Sequence, residues 1–173
     1  MEVFGELVRA NDAYVASGAH RDLPVEPQRR LAVITCMDAR IAVFPTLGLE
    51  LGDAHVLRTA GGRLTEDVLR SLTLSTHVLG ARAVALVAHT RCGLKDPTGE
   101  LVKRLTEVIG HPPWPRDWYA FADEGAAVRE DCARLLAWPD RPEGLAVAGY
   151  VLDVEDGRLH EVVPPTAAAP PPA

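Results

Sequence analysis

Two short runs, LAVITC at Leu31 to Cys36 and RAVALVA at Arg82 to Ala88, are almost continuously apolar and rich in β-branched residues. A strand with one wet face alternates polar and apolar residues. One that skips the alternation is covered on both faces, as in a parallel sheet packed between helices. A third stretch, Ala54 to Thr59, reads as another strand and ends at the glycine pair Gly61-Gly62. The expected architecture is therefore α/β, a central, mostly parallel sheet flanked by helices.

The remaining elements follow from periodicity and punctuation. Phe4, Leu7, Val8 and Tyr14 have roughly helical spacing before breaks at Gly18 and Pro24, which predicts an N-terminal helical arm over residues 1–27. Thr65 is an N-cap with Glu66 and Asp67 in the first turn, opening a helix expected to bury Val68, Leu72 and Leu79 and to stop at Gly80. Thr98 to Ile109 and Ala120 to Trp138 read as two further helices separated by the proline-rich HPPWPRDW loop. Leu145 to Val154 reads as a strand that Asp156-Gly157 turns back into Arg158 to Val163, a C-terminal hairpin. With 173 residues the chain is read as one domain over 1–163, followed by a disordered tail at 164–173.

Composition removes several functions. A net charge of −6 without a basic run is wrong for tracking phosphates, so nucleic acid is not an expected partner. The first residues lack the basic and apolar blocks of a secretory signal, and no apolar run nears membrane-spanning length. Three cysteines without a close pair do not make a disulfide framework, which points to the reducing cytoplasm.

The chemistry sits where the strands end. Cys36-Met-Asp-Ala-Arg40 closes the first strand and His89-Thr-Arg-Cys-Gly93 follows the third. Sites in open α/β sheets form beyond the carboxyl ends of strands, so distant segments meet there. Cys36, His89 and Cys92 supply two thiolates and an imidazole, a borderline-soft set suited to Zn2+. Three protein ligands leave a fourth position for water, as a hydrolytic zinc requires. Asp38 and Arg40 lie two apart just past a strand and can pair. The fixed carboxylate either orients a metal-held water or fills the fourth position itself.

Both motifs together resemble the β-carbonic anhydrases, whose signatures are C-x-D-x-R and, some fifty residues later, H-x-x-C followed by glycine. The likeness runs from Leu31 to Val163, through LGLELGDAHVLRTAGG and LRSLTLSTHVLGARAVALVAHT, and fits a short-chain microbial branch. It implies zinc on Cys36, His89 and Cys92, an Asp38/Arg40 catalytic dyad, and reversible hydration of CO2 to bicarbonate by zinc-held hydroxide. It also implies a homodimer or higher homo-oligomer, with N-terminal helices embracing the partner subunit and the CO2 cleft near the interface.

Some positions depart from the family pattern. Thr59 stands where an asparagine is common, and Arg91 precedes the last ligand where an acidic or small residue is common. An inward-pointing Arg91 would favour thiolate, whereas an outward one would be idle. No glutamine appears in PTLGLELGD to help hold substrate.

Other residues carry plainer readings. Gly61 and Gly62 make a tight turn and are candidates to approach the substrate cleft. Cys132 shares a helix face with Val128 and Leu135 and is read as a core thiol. His20, His55, His77, His111 and His160 lack partners at ligand spacing and are read as structural or solvent-facing. Trp114, Trp118 and Tyr119 are read as a packed loop anchor. A cysteine phosphatase or sulfurtransferase would place an arginine about six residues after its nucleophile, where this chain has Ala42 and Thr98, and a thioredoxin-like role would need C-x-x-C. The alternatives left standing are hydrolysis of carbon disulfide or carbonyl sulfide on the same scaffold, and a non-catalytic zinc-binding or carbon-sensing protein.

Overall fold

A computed structural model describes residues 2–18, 22–114 and 117–166. Its frame is a five-stranded sheet ordered β2-β1-β3-β4-β5, where β1 is Leu31–Cys36, β2 Ala54–Thr59, β3 Ala83–His89, β4 Ala146–Leu152 and β5 Leu159–Val163. The first four strands run parallel, and β5 returns antiparallel to β4 across the expected turn. Ala32 and Ile34 of β1 join a core cluster with Leu72, Leu86 and Leu135, while Val33 joins another with Val87, Leu94 and Leu152. Both faces of the central strands are thus dry, which is why their sequence does not alternate.

Helix α1, Glu2–Ala16, buries no residue within this chain, and Phe4, Leu7 and Val8 stay exposed. A short α2, Val43–Leu47, follows β1. Helix α3, Glu66–Thr73, opens as expected, with Thr65 accepting from the Val68 backbone N–H, and it buries Val68 and Leu72. It does not continue regularly to Leu79. A π turn at Leu74–Val78 shifts the helical phase, buries Ser75 and Thr76 and leaves Leu79 only half-buried. The Thr76 hydroxyl is satisfied by donating to the Leu72 carbonyl.

Two helices start later than expected. Helix α4, Leu101–Ile109, begins where the Asp96 carboxylate accepts from the Glu100 and Leu101 backbone N–H groups. Helix α5, Glu124–Leu136, is capped by Asp123, because the preceding residues are drawn into an extended contact in which the Asp96 N–H donates to the Phe121 carbonyl. Strand β4 contains Gly149 because α5 lies close across it: a Cβ there would stand 2.4 Å from a Val128 methyl and 2.9 Å from the Cys132 sulfur. Past β5, Thr166 exchanges hydrogen bonds with Val147, so the ordered chain runs beyond Val163, and residues 167–173 of the expected tail lie outside the described residues. Among the described residues, no helix is long and apolar enough to cross a membrane.

Candidate metal centre

Strands β1 and β3 are parallel neighbours, so their carboxyl ends bring Cys36 and His89 to the same edge of the sheet. The turn after β3 returns Cys92 to them. The two sulfurs and a ring nitrogen of His89 all lie within 4.8 Å of one another, and all three residues are buried. The Sγ atoms are 4.0 Å apart, far beyond a disulfide bond. Two thiolates on one tetrahedral zinc, each at about 2.3 Å, would be separated by about 3.8 Å.

His89 Nδ1 lies 2.8 Å from the Thr90 carbonyl, which sets it as the donor and leaves Nε2 as a lone-pair acceptor. That Nε2 is buried without a hydrogen-bond partner. Such an orphan costs about 1–3 kcal/mol, and a metal ion would satisfy it. The Cys36 pKa is pushed well down, chiefly by the hydrogen bond from the Cys92 thiol, against burial. Cys92 is pushed upward because it holds the proton the pair shares and is itself buried. Burial works against a charged His89, but the negative Cys36 sulfur close to it outweighs that and raises its pKa. Two anions this close need a cation between them to be anionic together.

Beside the candidate ligands, Arg40 grips Asp38 with Nε on Oδ1 at 2.9 Å and Nη2 on Oδ2 at 2.7 Å, while the Arg40 backbone N–H also donates to Oδ1. This hold keeps the Asp38 carboxyl far below the usual carboxylate range. Asp38 Oδ2 stands 3.8 Å from His89 Nε2. Arg40 Nη2 donates as well to the Arg91 carbonyl, fastening the two motifs to each other. The Arg91 side chain turns outward and pairs with Glu155 at 2.8 Å, both exposed, so it places no charge at the thiolates.

The expected glycine turn is in place. Gly62, at φ +64°, presses on the end of β1, where a Cβ would come within 2.9 Å of the Thr35 carbonyl carbon and 3.0 Å of the Cys36 nitrogen. The Gly61 backbone N–H is a minor influence that lowers the Cys36 pKa. Gly61, Asp38 and both cysteines line a cavity of about 290 Å3, walled opposite by Leu101, Leu105 and Trp118.

Other expectations divide. Cys132 is a core thiol, 1% exposed, and burial lifts its pKa to about 11. His55 bonds to Ser75 and Val25, and His77 meets the Asp140 carbonyl, both structural roles, while His160 is exposed on β5. His111 is exposed too, and His20 lies outside the described residues. The aromatic cluster is not one anchor: Trp114 is 83% exposed, whereas Trp118 walls the cavity. Two arginines went unnoticed in the sequence. Arg58 donates to the carbonyls of Cys36, Asp38 and Ile41, bracing the loop that carries the dyad. The buried Arg63 pairs with the buried Asp131 and the exposed Glu130. Both scaffold contacts span long sequence separations, and no local pattern marks them.

Comparison with known proteins settles the family. The carbonic anhydrase family model matches residues 31–105. The chain is 39% identical over 157 residues to β-carbonic anhydrase 1 of Mycobacterium tuberculosis, spanning 90% of this chain and 95% of that protein. The chain belongs to the β-carbonic anhydrase family. A crystal structure of a carbonic anhydrase from Streptococcus mutans superposes with a TM-score of 0.88 at 41% identity, covering 94% of this chain and 98% of that one. A carbon disulfide hydrolase from Acidianus is also similar, at 34% identity over 157 residues, with 77% of each chain covered. Placed within the β-carbonic anhydrases, the chain keeps the family signatures, while Thr59 replaces the common asparagine and its hydroxyl is buried without a partner.

Proposed function

We propose that this carbonic anhydrase is a zinc enzyme that reversibly hydrates CO2 at the Cys36, His89 and Cys92 centre. The observation that carries the reading is the orphaned His89 Nε2, facing two sulfurs 4.0 Å apart beside a carboxylate already committed to Arg40. Cys36, His89 and Cys92 would hold the ion, which would supply Lewis acidity and lower the pKa of water at its open position.

The chain's own residues do the rest. Arg40 occupies both oxygens of Asp38, which favours a carboxylate beside the metal over one bound to it. Because Asp38 stays ionised, its role is to accept a hydrogen bond and aim the attacking oxygen's lone pair rather than to take up the proton. Leu94, Leu101 and Leu105 offer the neutral substrate an apolar wall. Bicarbonate leaves, and a proton passes to bulk solvent.

The same reading makes the protein a homodimer, since the exposed Phe4, Leu7 and Val8 stripe of α1 has no cover within one chain. It places the enzyme in the cytoplasm, where its three free cysteines stay reduced. Residues 1–163 act as one domain, with α1 as the arm.

Stopped-flow CO2 hydration by the zinc-loaded protein tests the function. Turnover well above buffer is expected, rising on the alkaline side, because two thiolates offset the ion's charge more than three neutral imidazoles do and hold the water pKa above the about 7 of such a site. Absent turnover refutes the function, and a profile flat from mildly acidic pH upward refutes the charge argument.

A further inference from the structure

The cavity at the metal centre has a neighbour. A second pocket, of about 570 Å3, is lined by Thr59, Thr65, Glu66, Asp67 and Asp117, and shares just two lining residues, Ala60 and Trp118, with the first. One indole thus stands between a small chamber holding the reacting groups and a larger one without them. We propose that Trp118 is a specificity-determining residue, a partition that ends the metal-site cleft and so favours the shorter of two linear electrophiles, CO2 over CS2. This rests on the function proposed above.

Three observations support a built partition. The Trp118 indole nitrogen is buried with no acceptor among the described residues, so packing rather than a hydrogen bond holds the ring where both pockets meet it. Next to it, Tyr119 holds the left-handed conformation at φ +52°, which a bulky side chain rarely adopts. That strained residue is clamped: its carbonyl accepts from Arg63 Nη1 at 2.7 Å, its ring lies under the Arg134 guanidinium at 5.6 Å, and its N–H donates to Asp117 at 2.8 Å. The clamp fixes how far the indole reaches.

CO2 and CS2 are attacked alike at carbon, so the attacking group hardly separates them. Sulfur is larger and its bonds to carbon longer, so cleft length does. Truncating the indole joins the two chambers and lengthens the site without touching a metal ligand.

The test compares kcat/KM for CO2 hydration and for CS2 hydrolysis, read as sulfide release, in zinc-loaded wild type, Trp118→Ala, Trp118→Leu and Trp118→Phe, with zinc content measured on each. The CO2-to-CS2 preference is expected to fall about tenfold or more in Trp118→Ala, to fall less in Trp118→Leu, and to stay within about twofold in Trp118→Phe, which keeps the ring and drops the idle N–H. A preference within about twofold of wild type in both truncated, zinc-containing variants overturns the partition. Should Trp118→Ala fail to fold, Trp118→Leu alone decides. Should wild type hydrate no CO2, the proposed function falls; the partition then stands if the CS2 rate rises in the truncated variants and falls if it does not.

Discussion

Two polar clusters are buried on either side of the Gly61-Gly62 turn, and they solve the same problem differently. In one, the Arg63 guanidinium is matched group by group: Nε meets Asp131 at 2.6 Å, Nη2 meets Glu130 at 2.9 Å and Asp131 at 3.1 Å, and Nη1 meets the Tyr119 carbonyl at 2.7 Å. Asp131 also accepts from the Leu64 N–H at 3.0 Å, and the Phe121 ring lies beneath the guanidinium. In the other, one imidazole nitrogen has no partner and two sulfurs share one proton. The first cluster is complete within the chain and needs nothing. The second offers three donors that could hold a cation. Burial of polar groups does not by itself mark function; an unmatched nitrogen beside two buried sulfurs is the sharper sign.

Breaking each cluster should fail in a different way. Cys92→Ser removes a soft donor, and zinc affinity should fall by more than about a hundredfold, with activity lost alongside it. Metal analysis after dialysis checks this, and full zinc content would refute the ligand assignment. Asp131→Ala leaves Arg63 charged and buried without its main partner, and should destabilise the fold by about 3–5 kcal/mol while folded chains keep their zinc. Denaturant titration reads the loss, and pairing Arg63→Met with Asp131→Leu should recover most of it. A loss of zinc from folded Asp131→Ala would erase the distinction between the clusters.

Asp38→Ala should fall between those cases, with zinc retained and kcat depressed by about a hundredfold, equivalent to about 2.7 kcal/mol of barrier. Unchanged kcat would make the Asp38/Arg40 pair an ordinary ion pair. The smallest effect concerns Cys132, whose pKa is lifted from 9.0 to about 11 by burial, with Asp131 assisting. The unfolded thiol ionises first as pH rises, so the neutral, folded form loses ground between pH 9 and 11 by about 2 kcal/mol. Stability measured across that window should slope downward in wild type, and Cys132→Ala should remove that share of the slope.

What the sequence exposed and what it hid follow one rule. Continuous apolar runs mark β1 and β3 because burial on both faces forbids alternation, and the candidate ligands are legible because they sit just where those runs stop. The phase shift at Leu74–Val78 was hidden, since Leu79 keeps its apolar identity whether or not the helix stays regular. The starts of α4 and α5 are hidden too, because the Asp96 carboxylate caps α4 from four and five residues before the N–H groups it meets, and the Phe121 contact is made through backbone groups that any sequence carries. Arg63 and Asp131 are 68 residues apart, and nothing local announces that they meet. Trp118 was visible as an aromatic, but only the fold shows that it faces the metal cavity while Trp114 faces solvent.

The central claim is that Cys36, His89 and Cys92 hold one divalent ion that remains open to a fourth, light donor. X-ray absorption at the zinc edge of the purified protein, combined with metal counting, tests it most directly. One zinc per chain is predicted, with two sulfur neighbours at about 2.3 Å and two nitrogen or oxygen neighbours at about 2.0–2.2 Å. A protein that binds no zinc, or a zinc with any sulfur count other than two, would contradict it.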